Sequence, residues 1–373
     1  MKITAVEAIE LRLPEERIGE KADDGQNVLI VKVHTDEGLV GLGEVVSQPR
    51  VAKAVIEAPK AQEGCSGLAR EIIGLDPLQT SVVREQLSRA TFYYGRRGVV
   101  AHAMAGVDMA LWDLKGKYHG EPVYALLGGA FETRVRAYAS DLFGVDAAET
   151  EAKARRWREA GYTAVKLGWA PMGQSERLDL ELVAALRGGA GPGLDIMVDA
   201  GCCWDSATAL RRARQFEDFD ILWLEEPLAQ DDLDGYRRLC DASPVPIAAG
   251  EGEAERHGFR DLVERGGIDV CQIDLARTGF TEGVRIADMA EDRGRRVVNH
   301  FYSTGVNLAA GLHFAASRRS TFIFEYCVED TPTRWDVTRQ KMTIDADGYV
   351  AVPSGPGLGI DLDEDTIDDL RVS

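Results

Sequence analysis

The chain has 373 residues, with 62 Asp and Glu against 43 Lys and Arg and a formal net charge of −19. That balance argues against nucleic acid and anionic membrane surfaces as partners. The length is enough for one large core and a second, smaller unit. An acidic excess of this kind also fits solvation in high salt, although an ordinary acidic cytosolic protein is the weightier reading. Met1–Glu10 carries no apolar signal core, and no run of about 18 apolar residues occurs. The six cysteines (Cys65, Cys202, Cys203, Cys240, Cys271 and Cys327) form no C-x-x-C pair. Reduced thiols and a cytoplasmic location are therefore expected.

Residues 3 to 13 alternate like a strand, as do residues 28 to 34, and Thr35-Asp36-Glu37-Gly38 reads as a turn before a third strand. The intervening stretch, E-E-R-I-G-E-K-A-D-D-G-Q, reads as a loop. From Ser47 to about Tyr118 the pattern becomes helical. An α+β unit is thus expected over 1–128. From Val135 a regular repeat begins. Strands are expected at Val135–Ser140, Thr163–Leu167, Asp195–Asp199, Ile221–Glu225, Pro246–Glu251, Val270–Asp274, Arg296–His300 and Thr321–Glu325, with helices between. Their ends recur every 23 to 33 residues or so, the period of a (β/α)8 or TIM-like barrel. The barrel is assigned to 129–330. The Gly- and Pro-punctuated remainder, 331–373, is expected to return to the capping domain.

The chemistry is concentrated at strand ends, the catalytic face of such a barrel. The run I-L-W-L-E-E-P at Ile221–Pro227 ends in two carboxylates. Neighbouring residues on a strand point to opposite faces, so Glu225 is expected inward and Glu226 away. Asp199 ends the strand before and Glu251 the strand after, each about 26 residues off. Three carboxylates that close need a hard divalent cation, with Mg²⁺ the default. Lys166 ends T-A-V-K inside an apolar strand, where an unpaired lysine is costly; a structural ion pair is the competing account. Asp274 and His300 end adjacent strands, so the aspartate can fix the imidazole tautomer and leave the other nitrogen for substrate. Glu325 ends F-I-F-E between apolar groups, where a protonated carboxyl could donate to a carboxylate substrate.

These residues, with A-G-V-D-M-A-L-W-D-L-K-G-K and P-V-Y-A-L-L-G-G upstream, resemble the enolase superfamily in its mandelate racemase subgroup, over essentially the whole chain. The resemblance implies one Mg²⁺ per subunit on Asp199, Glu225 and Glu251. It also implies that the metal binds the substrate carboxylate and stabilises the enediolate left when the α-proton departs. Homo-oligomers are common for this resemblance.

One departure bears on the reaction. Racemases of the family carry a K-x-K motif whose second lysine is a base; here the segment is Lys166-Leu167-Gly168. A 1,1-proton transfer needs a group on each face, whereas dehydration can use His300 alone. The extra acid that some aldonate dehydratases carry past the third-strand aspartate is also absent from Asp199-Ala200-Gly201-Cys202. The expected reaction is therefore dehydration of a sugar acid (an aldonate, such as a pentonate or hexonate) to a 2-keto-3-deoxy acid. Racemisation or epimerisation of a 2-hydroxy acid with Lys166 as second base is the alternative. Cycloisomerisation is disfavoured because that branch places a lysine where Asp274 stands, and a catalytically dead barrel because the set is complete. Trp169, Arg17, Lys21 and a patch of Tyr93, Tyr94, Arg96 and Arg97 are the candidates for substrate recognition, beside Lys166 and Glu325.

Overall fold

The computed structural model describes residues 1–13 and 27–372. Arg17 and Lys21 lie outside the described residues. Strands β1 (Ile3–Leu11), β2 (Val28–Thr35) and β3 (Val40–Val45) form an antiparallel sheet in that order. The turn before β3 places Gly38 at φ 82°, a conformation that disfavours a side chain. This sheet lies on the helix Val99–His119 at backbone distance. A Cβ on Gly43 would stand 2.0 Å from the carbonyl oxygen of Gly106, and one on Gly41 2.1 Å from that of Ala110. The run of small residues in that helix is what permits the approach.

Eight parallel strands follow: β4 (Arg134–Leu142), β5 (Ala164–Gly168), β6 (Asp195–Asp199), β7 (Ile221–Glu225), β8 (Ile247–Ala249), β9 (Val270–Ile273), β10 (Arg296–Asn299) and β11 (Phe324–Cys327). They are ordered β10-β9-β8-β7-β6-β5-β4-β11. Most limits differ from expectation by one or two residues, and two of the differences have a visible local cause. β8 stops at Ala249 because Gly250, at φ 133°, turns the chain before Glu251. β11 starts at Phe324 rather than Thr321, and Phe322 instead lies under the Arg296 guanidinium, 4.6 Å from its ring centre.

Alternation along the strands divides the core. Tyr138, Ala164, Met197, Trp223, Ala248, Val270, Val298 and Ile323 fill the barrel interior. The intervening residues, such as Val165, Val198, Leu224 and Cys271, pack in the larger core shared with the helices. Two positions further along most of the strands, the interior row becomes Ser140, Lys166, Asp199, Glu225, Gln272, His300 and Glu325. An apolar plug thus supports a polar layer.

The ladder is continuous except between β10 and β11. There a side chain takes its place: the Glu325 amide donates to Asn299 Oδ1 at 3.0 Å, and Asn299 Nδ2 donates to the Glu325 carbonyl at 3.4 Å. Both groups are buried.

Beyond β11 the chain adds β12 (Tyr349–Ala351), antiparallel to the start of β4, and then crosses to the N-terminal sheet. The Leu358 amide donates to Asp113 Oδ1 at 2.8 Å, Lys32 pairs with Glu364 at 2.9 Å, and Leu11 bridges Arg371. The N-terminal unit is also docked on the barrel. Asp108 Oδ2 accepts from the Thr281 amide at 2.8 Å, and Trp112 Nε1 donates to Thr281 Oγ1 at 2.9 Å. Among the described residues no helix is long and apolar enough to cross a membrane.

Asn299→Leu removes both seam bonds and leaves the buried Glu325 amide unpaired. The expected cost is about 1–3 kcal/mol, read as a lower urea midpoint with an unchanged slope. An unchanged midpoint would mean the seam is closed by other contacts.

Candidate active site

The polar layer opens into a cavity of about 200 Å³, lined by Ser140, Asp141, Leu142, Lys166, Gly168, Trp169, Asp199, Glu251, Arg277, His300, Tyr302 and Glu325. Asp199, Glu225 and Glu251 converge here from three consecutive strands. Their ligand atoms lie within 4.8 Å of one another. Glu226 is not part of this group. It turns away at φ 34° and accepts from Gln230 Nε2 at 3.1 Å and the Gly250 amide at 3.3 Å.

The carboxylates are oriented from behind. Asp199 Oδ1 accepts from the Gly201 amide at 2.9 Å, and Glu225 Oε2 from Trp223 Nε1 at 2.9 Å. Burial, then the adjacent Glu225 charge, pushes the Asp199 carboxyl well above its usual range. Burial likewise raises Glu225. A buried all-carboxylate oxygen set of this kind fits a hard divalent cation, which removes the repulsion. Gly168 contributes by what it lacks: a Cβ there would stand 2.5 Å from Asp199 Cβ and 3.0 Å from its Oδ2.

Lys166 stands among the acids. It bonds Glu225 Oε1, pairs with Glu325 Oε1 at 2.7 Å and lies 3.9 Å from Asp199 Oδ2. Burial alone would lower its pKa, but the surrounding carboxylates, Glu225 first, hold it well above the ordinary value. The ion-pair account of Lys166 is therefore correct as geometry, and the group is an ammonium.

Glu325 corrects an expectation. Burial favours the protonated carboxyl foreseen from the apolar flanks, but Lys166 and then His300 outweigh it and bring the pKa below the usual range. Glu325 is an acceptor here, from Ser140 Oγ at 2.7 Å and the Phe301 amide at 2.8 Å.

His300 Nδ1 lies 2.8 Å from Asp274 Oδ2, and its Nε2 lies 3.2 Å from Glu251 Oε2. Burial would lower the imidazole pKa; Glu251, Glu325 and Asp274 together raise it to about 9. Asp274 is held low despite its burial, through its bond and charge interaction with His300.

Of the recognition candidates, Trp169 lines the cavity at φ 67°, its ring against Gly201, and is 54 % exposed. Tyr93 does not line it. The helix Thr80–Thr91 ends just before, and the following turn sends Tyr93 to the surface beside Phe92, 68 % exposed. Tyr94 Oη donates to the Ser66 carbonyl, and Arg97 reaches Asp231 at 3.7 Å. Ser140, Asp141, Arg277 and Tyr302 were not foreseen. Ser140 had a signal, two positions after the interior Tyr138; Arg277 and Tyr302 follow strand ends, where no periodicity marks them.

Gly168→Ala should push Asp199 aside and weaken binding of a divalent cation, read with Mg²⁺ by isothermal titration, by about tenfold or more, a step of roughly 1.4 kcal/mol. Asp199→Asn should weaken it further. Wild-type affinity in both would remove Asp199 from the cation site.

The N-terminal part of the chain, residues 4–128, matches the mandelate racemase / muconate lactonizing enzyme N-terminal domain. Residues 149–366 match the enolase C-terminal domain-like family. The chain is 35 % identical to a D-galactarolactone cycloisomerase of Agrobacterium fabrum, over 100 % of this chain and 99 % of that protein. It is 32 % identical to a D-galactonate dehydratase of Ralstonia pickettii, over 90 % and 89 %. The crystal structure of the 3,6-anhydro-D-galactonate cycloisomerase from Zobellia galactanivorans superposes with a TM-score of 0.90 at 30 % identity, covering 100 % of both chains. Sheet cap and barrel agree with these matches, and the chain belongs to the mandelate racemase / muconate lactonizing enzyme family of the enolase superfamily.

Proposed function

We propose that this protein is a Mg²⁺-dependent lyase that dehydrates a sugar acid, an aldonate of pentonate or hexonate size, to a 2-keto-3-deoxy acid. The observation that carries the reading is the one-sided acid–base equipment of the cavity. His300, aligned by Asp274, is its imidazole. Lys166 is kept as an ammonium by its carboxylates, and Gly168 stands where the resemblance puts the second lysine of the racemases' K-x-K motif.

The roles follow from the chemistry of the groups. One divalent cation held by Asp199, Glu225 and Glu251 would supply the positive charge that neutralises the substrate carboxylate and the enediolate derived from it. Lys166 adds a fixed ammonium beside that carboxylate. With the Glu251 charge taken up by that cation, the largest influence raising the imidazole pKa is removed, and the neutral His300 Nε2 takes the C2 proton while Asp274 holds Nδ1–H and stabilises the imidazolium. The imidazolium then returns its proton to the departing C3 hydroxyl, water leaves, and the enol tautomerises to the ketone. Proton removal and return from one nitrogen require both to lie on one face, which makes the elimination syn. Trp169, Ser140 and Tyr302 line the space left for the polyol.

A second reading is opening of a sugar-acid ring by the same α-proton removal. The sequence weighed against cycloisomerisation, yet relatives of that name match over the whole chain. One observation favours it: a single imidazole serves a leaving carboxylate well, because a lactone oxygen departs without needing a proton. Epimerisation with Lys166 as the second base is less favoured, since its carboxylates hold Lys166 as an ammonium.

The test is a panel of aldonates, aldarates and their lactones with Mg²⁺, scored for 2-keto acid. Product from an open-chain acid supports dehydration, and product from lactones alone supports ring opening. Absence of keto acid from every member would contradict both. His300→Asn should lower kcat by about 10²–10⁴-fold and abolish solvent exchange at C2; exchange retained in that variant would make another group the base.

A further inference from the structure

The acid–base pair is held by more than its own two strands. Asp274 is completely buried, and its two oxygens have separate partners. Oδ2 faces His300 Nδ1 at 2.8 Å, with Arg277 Nε at 3.8 Å. Oδ1 accepts from the Ala276 amide at 2.8 Å and from Asn307 Nδ2 at 3.0 Å. Asn307 Nδ2 also donates to Ser303 Oγ at 2.9 Å, so both of its protons are committed.

Asn307 lies in the first turn of the helix Gly305–Ala316, whose N-cap is Thr304. That helix start is gripped from the N-terminal sheet. Glu44 on β3, with no exposed surface, accepts from the Thr304 amide at 3.2 Å, Thr304 Oγ1 at 2.7 Å and the Asn307 amide at 3.0 Å. Immediately after β3, the Val46 amide donates to the Ala276 carbonyl at 3.3 Å. The capping strand therefore touches both peptide segments that hold Asp274 Oδ1.

We propose that Asn307 is a positioning residue for the His300–Asp274 pair and that Glu44 seats it, so that docking of the N-terminal sheet sets the orientation of the base. The donor type matters. A neutral amide fixes the carboxylate plane without neutralising the charge that Asp274 presents to the imidazole; a lysine or arginine at that distance would compete with His300 for it. Without Asn307 the carboxylate keeps a single fixed donor on Oδ1 and is free to rotate away from Nδ1. The inference rests on the reading of His300 as the base. Its primary readout nevertheless needs no substrate.

The experiment is proton NMR of the Mg²⁺-loaded protein without substrate, in the far-downfield region where an imidazole N–H bonded to a carboxylate resonates. The His300 signal is identified by its disappearance in His300→Asn. In Asn307→Leu, nearly isosteric but without donors, that signal should move upfield or vanish. The kcat on whichever acid is turned over should fall about 10- to 100-fold with KM within about twofold. Asn307→Ser, which keeps a shorter donor, should fall between the two and covers a leucine variant that fails to fold. A signal unmoved in a folded Asn307 variant, with only the melting temperature lowered, would make the residue merely structural and overturn the proposal. Because the signal is read without substrate, it stands or falls separately from the identity of the reaction.

Discussion

The structure is governed by the cost of burying negative charge. Among the described residues, Asp199, Glu225, Glu251, Asp274 and Glu325 are gathered at the end of the barrel beside the basic groups Lys166, His300 and Arg277. Lys166 is shared among three of the acids, and His300 bridges two more. Such a cluster is expensive unless each charge is paired and hydrogen-bonded. The surplus of carboxylate is what a divalent cation would absorb, and that arrangement, not any single residue, makes the site useful for stabilising an enediolate.

The rest of the fold serves that layer. Apolar interior residues one step below, Trp223 and Met197 among them, deny the acids water from beneath. Trp223 also reaches up through its indole N–H to orient Glu225. Glycines set clearances: Gly168 makes room for Asp199, and Gly250 turns Glu251 inward where a strand would have continued. The N-terminal sheet also reaches the site, since Glu44 and Val46 contact the segments that carry the acid–base pair.

Much of this was legible in the sequence because strand ends are conspicuous. An apolar run that stops at a charged residue marks both the element and its face, so Lys166, Asp199, Glu225, Asp274, His300 and Glu325 could be read directly. Protonation was not. Glu325 looked like a neutral carboxyl from its flanks, and only the 2.7 Å approach of Lys166 shows otherwise. Asn299 sits in V-V-N-H without any local sign that it closes the barrel seam, because that role is set by a strand 26 residues away. Tyr93 lies away from the cavity lining for a different reason: aromatic and basic neighbours in sequence do not say which side of a turn faces the cavity. Ser140, Arg277 and Tyr302 belong to strand or post-strand positions where periodicity gives weak guidance or none.

The central claim is that one imidazole on one face does the proton chemistry, and the most direct measurement is proton NMR of substrate recovered from partial turnover with Mg²⁺ in D₂O. The account predicts a 2-keto-3-deoxy product carrying solvent deuterium at C3, with the remaining acid unepimerised at C2. Accumulation of C2-epimerised, deuterated acid without keto product would contradict it, and would require a second base on the opposite face.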